Sequence, residues 1–130
     1  MKRLFSKRQR RILLFVAGGR CGACGTALPE RFHADHVVLE FAHRGYSELD
    51  YFKDLRPEMG IGLGVVDIKS TVIETPELIA ERLEHATRVL GENRIRYIHP
   101  DCGFWMLKRS IANAKIRSLT LGRNLFEGRY

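Results

Sequence analysis

The chain is short of cysteine, proline and negative charge near its start: 130 residues hold three cysteines and four prolines, and no acidic residue precedes Glu30. Three cysteines cannot make a paired disulfide framework, and two of them, Cys21 and Cys24, are spaced C-x-x-C, which suits metal or redox use in a reducing cytoplasm. No apolar run approaches the roughly 20 residues that span a bilayer, so no membrane partner is expected. Lys2-Arg3 followed by Ile12-Leu13-Leu14-Phe15-Val16-Ala17 falls short of a secretory signal, because the apolar core is brief and Gly18-Gly19-Arg20-Cys21 is a poor cleavage site. Hydrophobic and charged contents of 45% and 28% are ordinary for a globular domain. Lys2, Arg3, Lys7, Arg8, Arg10, Arg11 and Arg20 account for the whole net charge of +7, and the rest of the chain is balanced. The charge therefore gives no ground for nucleic-acid binding by the body of the protein, only for a weak contact through the basic N-terminus.

Two unlike segments follow, residues 1–37 and 38–130. In the first, Arg3 to Ala17 reads as a basic helix capped by Ser6 and stopped by Gly18-Gly19. Cys21-Gly22-Ala23-Cys24-Gly25 is a tight turn that can aim two sulfurs at one zinc, but zinc takes four donors; His33 and His36 are the local candidates to complete the set. Over residues 10–37 this segment resembles the opening of an HNH-type nuclease, through the C-x-x-C turn and the step Ala34-Asp35-His36. The resemblance implies Asp35 as a metal ligand and His36 as the base that activates water. The later glycine loop, asparagine, second C-x-x-C and closing histidine of that family are missing.

From Val38 onward the pattern is α/β. Val38–Ala42 reads as a short strand, Ser47–Lys53 as a helical turn with Ser47 as N-cap, and Gly60–Ile68 as an apolar strand buried on both faces. Thr75-Pro76-Glu77 opens a helix with an N-cap, a proline at its first position and an acidic first turn. Ile79, Leu83, Ala86 and Leu90 make its buried face, and Gly91 ends it. Arg94–Ile98 is a third strand, and Leu107–Leu121 a helix with Ile111, Ala114 and Leu121 toward the sheet and Gly122 as terminator. Short loops with right-handed crossovers make the three strands parallel. Both outer strands of such a sheet expose unpaired backbone, which favours homo-oligomers.

Cys102 sits in the loop between the third strand and the last helix, where α/β proteins carry their chemistry. As a lone cysteine it reads either as an exposed thiolate suited to a metal or as a buried structural residue. Leu39-Glu40-Phe41-Ala42, Gly62–Ser70, Glu74-Thr75-Pro76-Glu77 and His99-Pro100-Asp101-Cys102-Gly103 occur in the order and spacing of cobalamin-independent methionine synthase. The chain resembles the C-terminal part of that family over residues 38–128. The resemblance implies the last part of a (β/α)8 barrel, with Cys102 as a zinc ligand and a methylated folate and homocysteine as substrates. It also implies the reaction of a 5-methyltetrahydropteroyltriglutamate-homocysteine S-methyltransferase, in which the remaining zinc ligands come from earlier strands. A metal-bound thiol is deprotonated at neutral pH and becomes the nucleophile.

Lys69 stands where the family has a histidine proposed as proton donor. Lysine is a poor proton shuttle near pH 7, so the departure implies another small thiol as acceptor or another proton route; alternatively Lys69 is a solvated loop residue. Asp67 reads either as a strand-end residue that orients a neighbour or as a turn former. Phe104, Trp105 and Met106 are expected to pack over the barrel end, His99 to be structural, and His43 and His85 to face solvent. The functions left open are a zinc-dependent methyltransferase segment incomplete as a stand-alone enzyme, an HNH-like nuclease segment, and a non-catalytic fusion product.

Overall fold

The structure, a computed structural model, describes residues 34–53 and 55–129. The basic helix, Cys21, Cys24 and His33 lie outside them. Three parallel strands, β1 (His36–Leu39), β2 (Gly60–Val66) and β3 (Ile95–Pro100), form one sheet in the order β1-β2-β3. Helix α1 (Pro76–Leu90) connects β2 to β3, and α2 (Arg109–Phe126) follows β3. Parallel neighbours joined through a helix are the βα repeat expected from the sequence.

The pattern of β2 explains its place at the centre. Every residue from Gly60 to Val66 is buried. Ile61, Leu63 and Val65 alternate with Gly60, Gly62 and Gly64, so the sheet has an aliphatic face and a glycine face. The aliphatic residues join Val37, Ile79, Leu83, Ala86 and Leu90 in one core cluster. Across the glycine face lie β1 and β3 side chains: a β-carbon at Gly62 would come 3.1 Å from Val38 Cγ2 and 3.4 Å from His99 Nε2. Val38 and Tyr97 are exposed there, with no second layer over them among the described residues.

Helix α1 follows its local signals. Thr75 caps it, its Oγ1 accepting from Leu78 N at 3.2 Å, Pro76 is its first residue, and Gly91 ends it at φ +99°. The expected buried face is the observed one.

Several expectations need correction. The first strand is His36–Leu39, not Val38–Ala42, because from Phe41 onward the amides donate to the Asp101 side chain instead of to a neighbouring strand. The Ser47 cap is absent: residues Leu49–Phe52 form a 3-10 turn, with Glu48 at the cap position and no side-chain bond. The central and third strands also shift, to Gly60–Val66 and Ile95–Pro100. In α2 the buried stripe is Lys115, Ser118 and Gly122, while Leu121 is exposed. Gly122 is interior to the helix and ends nothing: its missing β-carbon would come 2.6 Å from Ile79 Cβ and 2.8 Å from Pro76 O, so it lets α2 cross α1 closely. The true stop comes at Gly128, with φ +65°.

Candidate active site

Because the strands are parallel, three loops emerge at one end of the sheet: residues 40–45 after β1, 67–74 after β2 and 101–108 after β3. Asp101 ties them together. Its buried carboxylate accepts three backbone N–H groups of the first loop, Phe41 (3.1 Å) and Ala42 (3.0 Å) on Oδ1 and His43 (2.7 Å) on Oδ2. Its own N–H donates to Val66 O, the last carbonyl of β2, at 2.9 Å. A β-carbon on Gly64 would overlap Asp101 Oδ1, so the glycine supplies the room for this carboxylate. The next residue, Cys102, is thereby held at the rim with an exposed, free thiol. The alternative of a buried structural cysteine is not what the fold contains.

The second loop is organised by Asp67 and Glu74. Asp67 Oδ1 accepts Lys69 N at 2.8 Å, a local turn, and Oδ2 lies 3.3 Å from His43 Nδ1. Both readings of Asp67 therefore apply: it forms the turn and it orients a neighbour. Burial acts to raise its pKa, but the Lys69 N–H and the adjacent imidazole outweigh that and hold the carboxyl below its ordinary value. Asp67 N donates to Glu74 Oε1 at 2.8 Å, and Glu74 Oε2 meets Lys115 Nζ at 2.8 Å. Lys115 is wholly buried and also donates to Val72 O, and the Ser118 hydroxyl donates to Glu74 O.

The outer side of the rim is braced by Tyr46, whose hydroxyl donates to Gly64 O at 3.0 Å. Burial pushes this phenol strongly upward, against the opposing pull of Arg82 and with lesser help from Asp101 and Glu74. Arg82 in turn donates to Val65 O at 2.6 Å.

The other sequence candidates are scattered. Lys69 is exposed on the second loop. His85 faces solvent as expected, edge-on to Tyr46, and His43 is half exposed while paired with Asp67. His99 is half-buried, its Nδ1 2.6 Å from Pro100 O, in keeping with a structural role. Of the trio expected to pack over the barrel end, only Phe104 reaches the core; Trp105 is 82% exposed and Met106 60%. The chain turns outward after Gly103, Leu107 N bonding back to Phe104 O, and no strand beyond β3 lies there among the described residues for them to cover. Asp35 and His36 sit at the start of β1, both exposed, with the His36 ring 4.8 Å from that of Tyr97. They are at the opposite end of the sheet from Cys102, about 20 Å away at strand rise. The two candidate sites are not brought together.

Among the described residues no three His, Cys, Asp or Glu side chains converge to hold a metal ion. Cys102 alone is one donor toward the four that zinc takes, so these residues do not fit a complete zinc site. No helix among them is long and apolar enough to cross a membrane. Sequence reasoning missed Glu74, Lys115 and the carboxylate of Asp101. Lys115 did leave a signal: Ile111, Lys115, Ser118 and Gly122 repeat the spacing of Ile79, Leu83, Ala86 and Leu90, which sets a charge within a helix stripe.

The model of a family described as "Cobalamin-independent synthase, Catalytic domain" matches residues 25–121. The chain is 37% identical over 85 residues to a methionine synthase of Thermococcus kodakarensis, covering 65% of this chain and 25% of that protein. It is 31% identical over 115 residues to one of Methanothermobacter marburgensis, covering 88% and 36%. The fold resembles that of a B12-independent methionine synthase from Shewanella sp. W3-18-1, solved in complex with selenomethionine. That match has a TM-score of 0.63 at 20% identity, over 77% of this chain and 29% of the other. The chain thus spans about a quarter to a third of the length of these relatives.

Proposed function

Because this chain belongs to the cobalamin-independent methionine synthase family, we propose that it supplies the C-terminal strands of a zinc-dependent methyltransferase barrel. The methyl group passes from a methylated folate to the thiol of homocysteine, or of another small thiol in view of Lys69. The observation that carries this reading is the exposed Cys102 thiol, held by Asp101 at the shared C-terminal end of three parallel strands. That end is where (β/α)8 enzymes keep their chemistry. Cys102 serves as one zinc donor, and the remaining donors come from strands beyond these three. Three strands do not close a ring of eight, so the described residues do not by themselves complete such a barrel. The free thiol of Cys102 and the C-x-x-C pair support a reducing, cytoplasmic setting. The test is a graft of residues 36–126 in place of the matching segment of a full-length relative. Methyl transfer by the folded chimera, lost with one zinc on Cys102→Ser, is expected; a folded chimera that binds zinc without Cys102 overturns the reading.

A further inference from the structure

Lys115 and Glu74 form an ion pair with side chains 0% and 6% exposed, on the helix side of the rim and apart from Cys102. Burying two charges is costly, and an apolar pair of similar volume often serves stability as well, so the pair's worth lies in what it orients. What it orients is specific. Glu74 spends one oxygen on the Lys115 ammonium and the other on the Asp67 N–H, while Lys115 also donates to Val72 O. Ser118 of the same helix stripe donates to Glu74 O. The loop between β2 and α1 is thus gripped at Val72, at both ends of Glu74 and at Asp67, and three of those bonds come from α2.

We infer that Lys115 and Glu74 are positioning residues of the rim: acting through the Asp67 N–H, they set the Asp67 carboxylate against His43 and fix the loop that presents Lys69. The inference rests on the reading of this rim as the reactive end of a methyltransferase barrel. Asp67 is the junction. Its amide is held from the helix side by Glu74, and its carboxylate faces the His43 imidazole of the first loop at 3.3 Å. The backbone of His43 is held separately, by Asp101. Moving Asp67 therefore alters its contact with the imidazole without releasing the loop on which the imidazole is carried.

The test is nuclear magnetic resonance of the full chain, comparing Lys115→Met and Glu74→Gln with the unmodified protein. Glu74→Gln keeps the volume but leaves one carbonyl oxygen for two donors. The expected result in each folded variant is a rise of about fivefold or more in Asp67 amide exchange, the size set by loss of one hydrogen bond. His43 ring signals should shift with it toward those of Asp67→Asn, while the Ile61, Leu63 and Val65 amides keep their protection. A pair that only stabilises the fold would lower the unfolding midpoint and leave the Asp67 amide and His43 ring as they were, and that result overturns the inference. Failure of both variants to fold also overturns it, since the pair would then hold the domain and not the loop. The readout involves neither metal nor methyl transfer, so its failure leaves the methyltransferase reading standing, and failure of the chimera leaves this result intact.

Discussion

The Asp101 carboxylate occupies the space that a β-carbon on Gly64 would need. This close approach joins the middle strand to the loop bearing Cys102, and it makes the glycine and the carboxylate one unit. Asp101→Ala removes the acceptor of three amides and is expected to destabilise the chain by about 3 kcal/mol, in the range for hydrogen bonds to a charged group. Gly64→Ala, which displaces the same carboxylate, should cost a comparable amount. The double variant should lose clearly less than the sum, as residues sharing one interaction do. Urea unfolding of the four proteins checks this, and simple additivity would contradict it.

The depressed pKa of Asp67 has a pH signature. A carboxyl whose folded pKa lies below its unfolded value of about 3.9 adds stability that is fully present above that value. The contribution disappears as pH falls through the folded pKa. The unfolding midpoint of Asp67→Asn should therefore show a shallower acid fall than the unmodified chain below about pH 4. Parallel curves would deny Asp67 its stabilised charge.

Gly122 is where α2 crosses α1, and a side chain there meets Ile79 and the Pro76 carbonyl. Gly122→Val should lower stability by about 1–3 kcal/mol through overpacking. A helix terminator at this position would have tolerated the change better. Thermal unfolding followed by circular dichroism measures the difference.

Zinc on the isolated chain provides the fourth comparison. One exposed thiol cannot complete a tetrahedral site, so tight zinc on this chain should depend on Cys21 and Cys24. Zinc stoichiometry should fall in Cys24→Ser and be unchanged in Cys102→Ser, and the chain should show no methyl transfer with zinc, homocysteine and a methylated folate. Zinc kept by the first variant and lost by the second would reverse the assignment.

What could be read from the sequence was what local chemistry specifies. Thr75 with Pro76 marks the start of α1 and Gly91 its end, each acting on the adjacent turn alone, and its stripe from Ile79 to Leu90 faces the core as its spacing demands. The placement of Cys102 in a strand-to-helix loop is legible for the same reason. Gly122 misled because an interior glycine and a terminating one look alike until the partner helix is known. The end of β1 moved because Phe41 and Ala42, apolar enough for a strand, give their amides to a residue about 60 positions away. No local pattern marks such a partner. His43 is exposed as expected, but its pairing with Asp67 arises only when neighbouring parallel strands bring their loops together.

The long reach of Asp101 also bears on the order in which the molecule assembles. Closing so wide a loop costs chain entropy before any bond is gained in return, and that delay is characteristic of folds dominated by distant contacts. During synthesis the amides of Phe41, Ala42 and His43 are made long before their acceptor leaves the ribosome. The rim that gathers these three loops therefore cannot close until Asp101 itself has been made, whatever the strands beneath it have done by then.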